Sequence, residues 1–182
     1  MSSDTLGREL LTLARSAIAA RFGQVVAAAT ASDPALTVPG ATFVTLTQQG
    51  RLRGCIGSLE AWRPLAEDVR ENACAAAFRD PRFAPLSAAE LPATRVEVSL
   101  LSPPSPLPFS TEAEALAKLR PGIDGVILEY AGRRATFLPQ VWEQLPEPHQ
   151  FMAHLKQKAG LPADFRDPEM KLSIYRVEKW KE

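Results

Sequence analysis

Residues 42–57 have the sequence TFVTLTQQGRLRGCIG, which contains two extended segments on either side of a turn. The first segment, 42–47, is rich in β-branched and aromatic residues, which favour strands. Residues 48–50 have the composition of a turn, and residues 51–57 can return as the partner strand. We therefore expect a β-hairpin here.

The segments around this hairpin predict helices and further strands. Apolar residues recur at helical spacing in residues 6–18 and again from Pro64 to Ala77, and the second helix is expected to stop at Asp80. The other predicted elements are a strand (94–101), a short helix after Thr111, a second hairpin (126–130 with 133–138), two helical segments (139–145 and 149–159) and a last strand (172–177).

The order of these elements favours an α+β fold. Strands and helices do not alternate regularly enough for a doubly wound parallel sheet, so we expect a largely antiparallel sheet flanked by helices. Residues 1–182 are long enough for one domain with a substantial core. The proline-rich segment 102–108 is stiff and is the predicted connector between two subdomains.

The composition excludes several functional classes. Lys and Arg together number 21, as do Asp and Glu, so the formal net charge is zero. Nucleic acids and anionic membranes select basic proteins, and we expect neither as a partner. Charges interrupt every apolar run near the start of the sequence, which predicts neither a signal peptide nor a membrane span. The two cysteines give no disulfide framework and favour a cytoplasmic setting.

Cys55 is the residue whose surroundings most favour chemistry. In a regular strand, Arg51, Arg53 and Cys55 lie on one face, and Leu52 and Ile56 face the core. Positive charge beside a cysteine favours the thiolate, which acts as a nucleophile or a metal ligand. The alternative is a small buried cysteine with a packing role.

Glycines flank Cys55 in the sequence and extend this hypothesis. Gly54 and Gly57 have no side chains and can leave the backbone open to a closely bound ligand. They can also mark a bulge or the end of the strand. Cys74 has no comparable setting, because it lies in an alanine-rich run and is expected to pack within a helix.

Asp80 and Arg82 form the second point of interest. Asp80 follows a predicted helix and is expected to accept hydrogen bonds from the local backbone. Arg82 is a candidate clamp for an anion or a carboxylate.

A catalytic base for Cys55 is not evident in the sequence. His149 and His154 are about 140° apart around one predicted helix, so they cannot both address one site or share one metal ion. Glu60 and Glu97 are possible acid or base partners, although exposed carboxylates are common in loops and strands.

The segment Leu52–Gly57 resembles the signature of the AMMECR family, known in prokaryotes as AmmeMemoRadiSam system protein A. Further segments resemble the family in the same order, so the resemblance covers nearly the whole chain: 43–46, 80–83, 97–100, 122–126, 135–142 and 155–161.

This resemblance implies an α+β domain with a larger and a smaller subdomain that meet at a cleft. It also implies an association with a Memo-like protein and a radical SAM protein. The activity of the family is unsettled, and from the scarcity of cysteine and histidine we expect no cofactor and no metal. The matching site residues are Arg53, Gly54, Cys55, Gly57, Asp80 and Arg82.

Two functional hypotheses follow. In the first, the chain is a ligand- or partner-binding component of the Memo and radical SAM-associated system. In the alternative, it is a thiol-dependent enzyme in which Cys55 is the nucleophile, while Arg53 and Arg82 bind an anionic group of a small substrate.

Overall fold

The computed structural model describes residues 3–26 and 32–182, which form helices and two four-stranded sheets. The helices are α1 (Ser3–Ala20), α2 (Leu65–Phe78), α3 (Glu112–Lys118) and α4 (Pro148–Lys158). The strands are β1 (Ala41–Gln48), β2 (Arg51–Gly57), β3 (Thr94–Leu101), β4 (Ser105–Pro106), β5 (Gly125–Tyr130), β6 (Arg133–Phe137), β7 (Lys171–Tyr175) and β8 (Val177–Lys181). The predicted α+β class is confirmed.

The chain divides into two compact units. Unit 1 comprises Met1–Leu101 and Glu178–Glu182, and unit 2 comprises Ser102–Val177. The sheet of unit 1 has the strand order β2-β1-β3-β8, and the sheet of unit 2 has the order β4-β7-β5-β6. The proline-rich segment 102–108 opens unit 2, and its residues Ser105–Pro106 form β4.

The core of unit 1 is formed by one face of its sheet together with α1 and α2. Val44 and Leu46 of β1 and Val96 and Val98 of β3 are buried on this face. They alternate with polar residues that lie on the opposite face of the sheet. Each fully buried aliphatic side chain of this kind contributes about 1.5–3 kcal/mol. The alternation in β1 and β3 therefore leaves the opposite, polar face of the sheet available for contacts outside this core.

Unit 2 has a separate core around an aromatic pair. The rings of Trp142 and Phe151 stack with their centroids 3.7 Å apart. The indole N–H of Trp142 donates to the backbone carbonyl of Asp124 at 2.7 Å, which satisfies the buried polar group of this ring. Val126 and Leu128 of β5 belong to the same core.

Two of the predicted elements have a different form in the structure. The segment predicted to be helical after Leu138 is a 3₁₀-helix at Pro139–Glu143. The last predicted strand is divided at Arg176 into β7 and β8, which belong to different sheets. The division has a local cause, because the backbone N–H and C=O of Arg176 bond to Ser102.

Candidate functional site

Strand β2 contains a bulge at Arg53. Leu52 and Gly54 face consecutive residues of β1, so Arg53 is an additional residue without a partner in that strand. A bulge of this kind reverses the faces of the residues that precede it. The predicted alternation is therefore wrong for Leu52, which shares a face with Cys55 and is 44% exposed.

The guanidinium of Arg53 is bound to Glu90. Its Nε and Nη2 donate to the two carboxylate oxygens at 3.0 and 3.3 Å. These bonds, with further donors from Ser87 and Gln48, lower the pKa of Glu90 to about 2. Gln48 lies on the core side of β1, with Val44 and Leu46, so the Arg53 guanidinium is directed away from the face of Cys55. The expectation that Arg53 and Cys55 share a face is wrong, and the bulge is the reason.

Asp80 and Arg82 hold the backbone of Cys55. The N–H of Cys55 donates to Oδ2 of Asp80 at 2.9 Å, and its carbonyl accepts from Nη2 of Arg82 at 3.4 Å. Arg82 also donates to both oxygens of Asp80, at 3.0 and 2.7 Å. The hydrogen bond from Arg82 is the main reason that the pKa of Asp80 lies far below its ordinary value. The predicted local backbone bond to Asp80 is present as well, from the N–H of Arg82.

The thiol of Cys55 lies in a polar row that crosses three strands. Its Sγ is 3.3 Å from Oγ1 of Thr45. Thr45 is paired with Cys55 on one side and with Glu97 on the other. Paired residues point to the same face, so all of these side chains lie on the face opposite the core. We call this surface the thiol face, defined by Phe43, Thr45, Thr47, Leu52, Cys55, Gly57, Arg95, Glu97 and Ser99.

Glu97 differs from the other acidic residues near the motif. Its side chain is half-buried, and its carboxylate makes no hydrogen bond or ion pair with any residue that the structure describes. Asp80 and Glu90, in contrast, are each paired with an arginine. Glu97 therefore has no described partner on the thiol face, where Arg95 of β3 and, on the neighbouring strand β8, Lys179 and Lys181 supply positive charge.

The two motif glycines serve close packing. A Cβ on Gly54 would lie 2.1 Å from the carbonyl oxygen of Ala76 in α2. A Cβ on Gly57 would lie 2.2 Å from the ring of Phe43. Neither glycine has a positive φ. The expectation that they leave open backbone is therefore wrong, because α2 covers the first and an aromatic ring covers the second.

A buried polar network that the sequence patterns did not predict lies on the core face. Asp68 is fully buried, and its Oδ2 accepts from the N–H and Oγ1 of Thr42, each at 2.7 Å. Its Oδ1 accepts from Ser58 at 2.7 Å and from Arg63 at 2.8 Å. Asn72 donates to the carbonyl of Thr42 at 3.0 Å. Asp68 and Asn72 are polar residues four positions apart on the apolar face of α2, and this spacing was the sequence signal for the network. Their role is to join α2 to the hairpin.

The remaining candidates lie in other surroundings. His149 and His154 are exposed on α4 in unit 2, and Glu60 lies in the exposed loop after β2. Cys74 is half-buried on α2, its Sγ contacts the carbonyl of Ala17, and burial raises the pKa of its thiol, which fits the predicted packing role. Across residues 3–26 and 32–182, no three His, Cys, Asp or Glu side chains are grouped to hold a metal ion.

Unit 2 has a surface depression of about 690 Å³. The turn between β5 and β6 and the segment before β7 line it, and no predicted site residue is among its lining residues. Its charged groups include Glu129 and Arg134, which form an ion pair at 3.2 Å. This depression therefore does not contain the candidate site residues around Cys55. Among the described helices, none is long and apolar enough to cross a membrane.

The chain is similar to several archaeal proteins. It is 43% identical over 138 residues to a protein of Methanothermobacter thermautotrophicus, covering 75% of this chain and 71% of that protein. It is 37% identical to a protein of Thermococcus gammatolerans, covering 98% of this chain and 91% of the relative. The crystal structure of the uncharacterised protein PH0010 from Pyrococcus horikoshii matches with a TM-score of 0.80 at 33% identity, covering 98% of this chain and 92% of that one. The AMMECR1 family model matches residues 11–180, and the chain therefore belongs to the AMMECR1 family.

Proposed function

We propose that the chain is a binding component and that the thiol face of unit 1 binds a small ligand. The observation that carries this proposal is the state of Cys55. Its backbone is held by Asp80 and Arg82, while its half-buried thiol shares a face with the carboxylate of Glu97, which has no partner among the described residues. Binding sites characteristically present a few polar groups that are held in place by the residues around them.

The surroundings of the thiol favour binding over catalysis. A nucleophilic cysteine needs a base within hydrogen-bond reach, at about 2.6–3.2 Å. In the described part of the chain, the hydrogen-bond partner of Sγ is the hydroxyl of Thr45, at 3.3 Å, and a hydroxyl is not a base at neutral pH. Arg53, which the sequence placed beside the thiol, is bound to Glu90.

The family resemblance extends this proposal to partners. We propose that the chain acts together with a Memo-like protein and a radical SAM protein. A tagged chain isolated gently from its native cell is expected to bring both proteins with it, as identified by mass spectrometry. Recovery of neither protein would contradict this part of the proposal.

Protection of Cys55 tests ligand binding at the thiol face. The rate of alkylation by iodoacetamide is measured at each cysteine by peptide mass spectrometry, with and without the small-molecule fraction of a native cell extract. We expect the fraction to slow alkylation of Cys55 at least about threefold, since a bound ligand covers the sulfur. Cys74, which lies on α2, is the internal control and is expected not to change. Equal Cys55 rates with and without the fraction would contradict the proposal.

A thiol-dependent enzyme is the second candidate, and the observation that favours it is the guanidinium of Arg82, which donates to the carbonyl of Cys55 and so places a positive charge near the thiol. An activated thiolate reacts at neutral pH, whereas an ordinary thiol needs alkaline pH. Measuring the alkylation rate of Cys55 from pH 5 to pH 9 separates these cases. A midpoint near neutrality would support the enzyme, and a midpoint in the ordinary alkaline range would remove its support.

A further inference from the structure

We propose that Arg53 and Arg82 form an oxyanion site that the ring of Phe83 closes. When the ring turns away, each arginine donates from Nη1 to the carboxylate or phosphate group of a small molecule. The site goes beyond the proposed function, because it does not use the thiol of Cys55. The sequence predicted an anion at these two arginines beside the thiol, and the geometry points instead to the place that the ring of Phe83 occupies.

The first observation is an unsatisfied donor on Arg53. Its side chain is only 13% exposed, and its Nε and Nη2 both donate to Glu90. The remaining nitrogen, Nη1, is buried and has no hydrogen-bond partner in the described part of the chain. A buried donor without an acceptor is costly, so an acceptor that reached it would stabilise it. The two N–H groups of this nitrogen are therefore available to a ligand.

Arg82 is held in the same way and leaves the same nitrogen. Its Nε and Nη2 donate to Asp80, and Nη2 also donates to the carbonyl of Cys55. Its Nη1 makes no hydrogen bond with any residue that the structure describes. In both arginines a carboxylate holds one edge of the guanidinium, which fixes the direction in which the remaining nitrogen donates. Two oriented donors are thus left for an acceptor from outside the chain.

The ring of Phe83 is the neighbour that these two guanidiniums share. Its centroid is 5.8 Å from Cζ of Arg53 and 5.6 Å from Cζ of Arg82. Phe83 is half-buried, but it is not among the described apolar side chains that pack against the core of unit 1. Contacts with two cations, rather than packing in the core, therefore hold this ring. Such a ring can turn away without opening the core.

An oxyanion is a better partner for the two Nη1 donors than the ring is. A charge-assisted hydrogen bond from a guanidinium to a carboxylate or phosphate is stronger than a cation–π contact. A ligand must nevertheless displace the ring before it can bind. Its apparent affinity is therefore reduced in proportion to the fraction of molecules in which the ring has turned away.

The charges around the site favour an anion. Asp80 and Glu90 are each neutralised by an arginine of the site. Arg51, at the start of β2, is exposed and adds a positive charge that has no partner among the described residues. It is paired with Gln48, whose Nε2 is 3.4 Å from the carboxylate of Glu90, so it lies on the same side of the sheet as that carboxylate. Three arginines against two carboxylates leave the site with a net positive charge.

Titrations with inorganic phosphate and with acetate test the site. The side-chain Nε–H resonances of Arg53 and Arg82 are followed by NMR in the isotopically labelled full chain, at an ionic strength held constant with sodium chloride. We expect the two resonances to shift with one shared dissociation constant. Arg79, which is ion-paired with Glu71 on the exposed surface, is the internal control and is expected to show no saturable shift.

Phe83→Ala tests the closing role of the ring. We expect the dissociation constant to fall at least about threefold, since the ring no longer competes for the site. Arg51→Gln is expected to weaken binding about twofold, because it removes one screened positive charge. Arg70→Gln makes the same change at an exposed position of α2 and is the matched control, with no expected effect. Thermal melting confirms that each variant is folded.

The outcomes decide each part of the inference. Tighter binding of phosphate than of acetate would assign a phosphate group to the ligand, and the reverse would assign a carboxylate. If neither anion shifts Arg53 and Arg82 together in Phe83→Ala, the oxyanion site is overturned. An unchanged dissociation constant in that variant would overturn the closing role of the ring. None of these readouts uses the thiol, so they stand or fall separately from the Cys55 protection experiment.

Discussion

The acidic residues on the two faces of the sheet in unit 1 differ in their hydrogen-bond partners. On the core face, Asp68 is fully buried and accepts hydrogen bonds from the hairpin and from the loop that follows it. On the thiol face, Glu97 is half-buried and has no partner among the described residues. A carboxylate with a full set of internal donors holds the fold together, whereas one without them is available to a ligand.

The glycines of β2 show the same difference. The space that a Cβ of Gly54 would occupy is filled by the backbone of α2 on the core face. The space that a Cβ of Gly57 would occupy is filled by the ring of Phe43 on the thiol face. A helix backbone cannot retreat without disturbing the core, but a half-buried phenylalanine side chain can change its χ1 rotamer. Substitutions on the two faces are therefore expected to have unequal effects on the free energy of unfolding.

The largest effect is expected for Gly54→Ala. The added Cβ would lie 2.1 Å from a backbone carbonyl of α2, so strand and helix must separate. We expect a loss of at least about 3 kcal/mol in the free energy of unfolding, measured by urea denaturation. A loss smaller than that of Gly57→Ala would contradict the proposed contrast between the faces.

Asp68→Asn is expected to have the next largest effect. The amide keeps the shape of the carboxylate, but its NH₂ group replaces one of the two acceptor oxygens. In one orientation it faces the donors of Thr42, and in the other it faces those of Ser58 and Arg63. We expect a loss of about 3 kcal/mol, since buried donors lose their acceptor. Glu67→Gln, an exposed neighbour on α2, is the control and is expected to change stability by less than about 0.5 kcal/mol. Equal effects would show that the network does not support the fold.

Gly57→Ala is expected to have a moderate effect. Its Cβ would meet the ring of Phe43, which is half-buried on the thiol face and can move. We expect a loss of about 1 kcal/mol by urea denaturation, with part of the steric cost offset because alanine restricts the unfolded chain. The double variant with Phe43→Leu is expected to recover most of this loss, and no recovery would locate the strain elsewhere.

Glu90→Gln tests the ion pair between Glu90 and Arg53, the bulge residue, through the pH dependence of stability. The pKa of Glu90 is lowered from 4.5 to about 2 in the folded protein, mainly by Arg53, so the folded state favours the ionised carboxylate. This stabilisation is present above pH 4.5 and is lost as the pH falls towards 2. We expect the variant to be less stable at neutral pH and to lose less stability than the wild type over this acid range. Parallel pH profiles of melting temperature would contradict the assignment.

The smallest effect on stability is expected for Glu97→Gln. Because the carboxylate has no internal partner among the described residues, neutralising it should change the free energy of unfolding by less than about 0.5 kcal/mol. Urea denaturation measures this directly. A loss above about 1 kcal/mol would show that Glu97 supports the fold, and the contrast between the faces would then fail.

The sequence predicted the hairpin and the helix after it because their periodic patterns are local. It placed Cys55, Asp80 and Arg82 in one candidate site, and the structure brings them together. It placed Arg53 beside the thiol, which is wrong, because a single additional residue in β2 reverses the alternation and period alone does not reveal a bulge. Glu97 was one candidate among common exposed carboxylates, since only the strand register shows that it lies across Thr45 from Cys55.

The bonds from Asp80 and Arg82 to Cys55 have a consequence for association of the protein with itself. Strand β2 lies at the edge of its sheet, where free N–H and C=O groups are templates for another strand. At Cys55 both groups are already bound by side chains, so an incoming strand would have to displace a buried aspartate and its arginine. The contacts that orient the thiol therefore also protect the sheet from edge-to-edge aggregation.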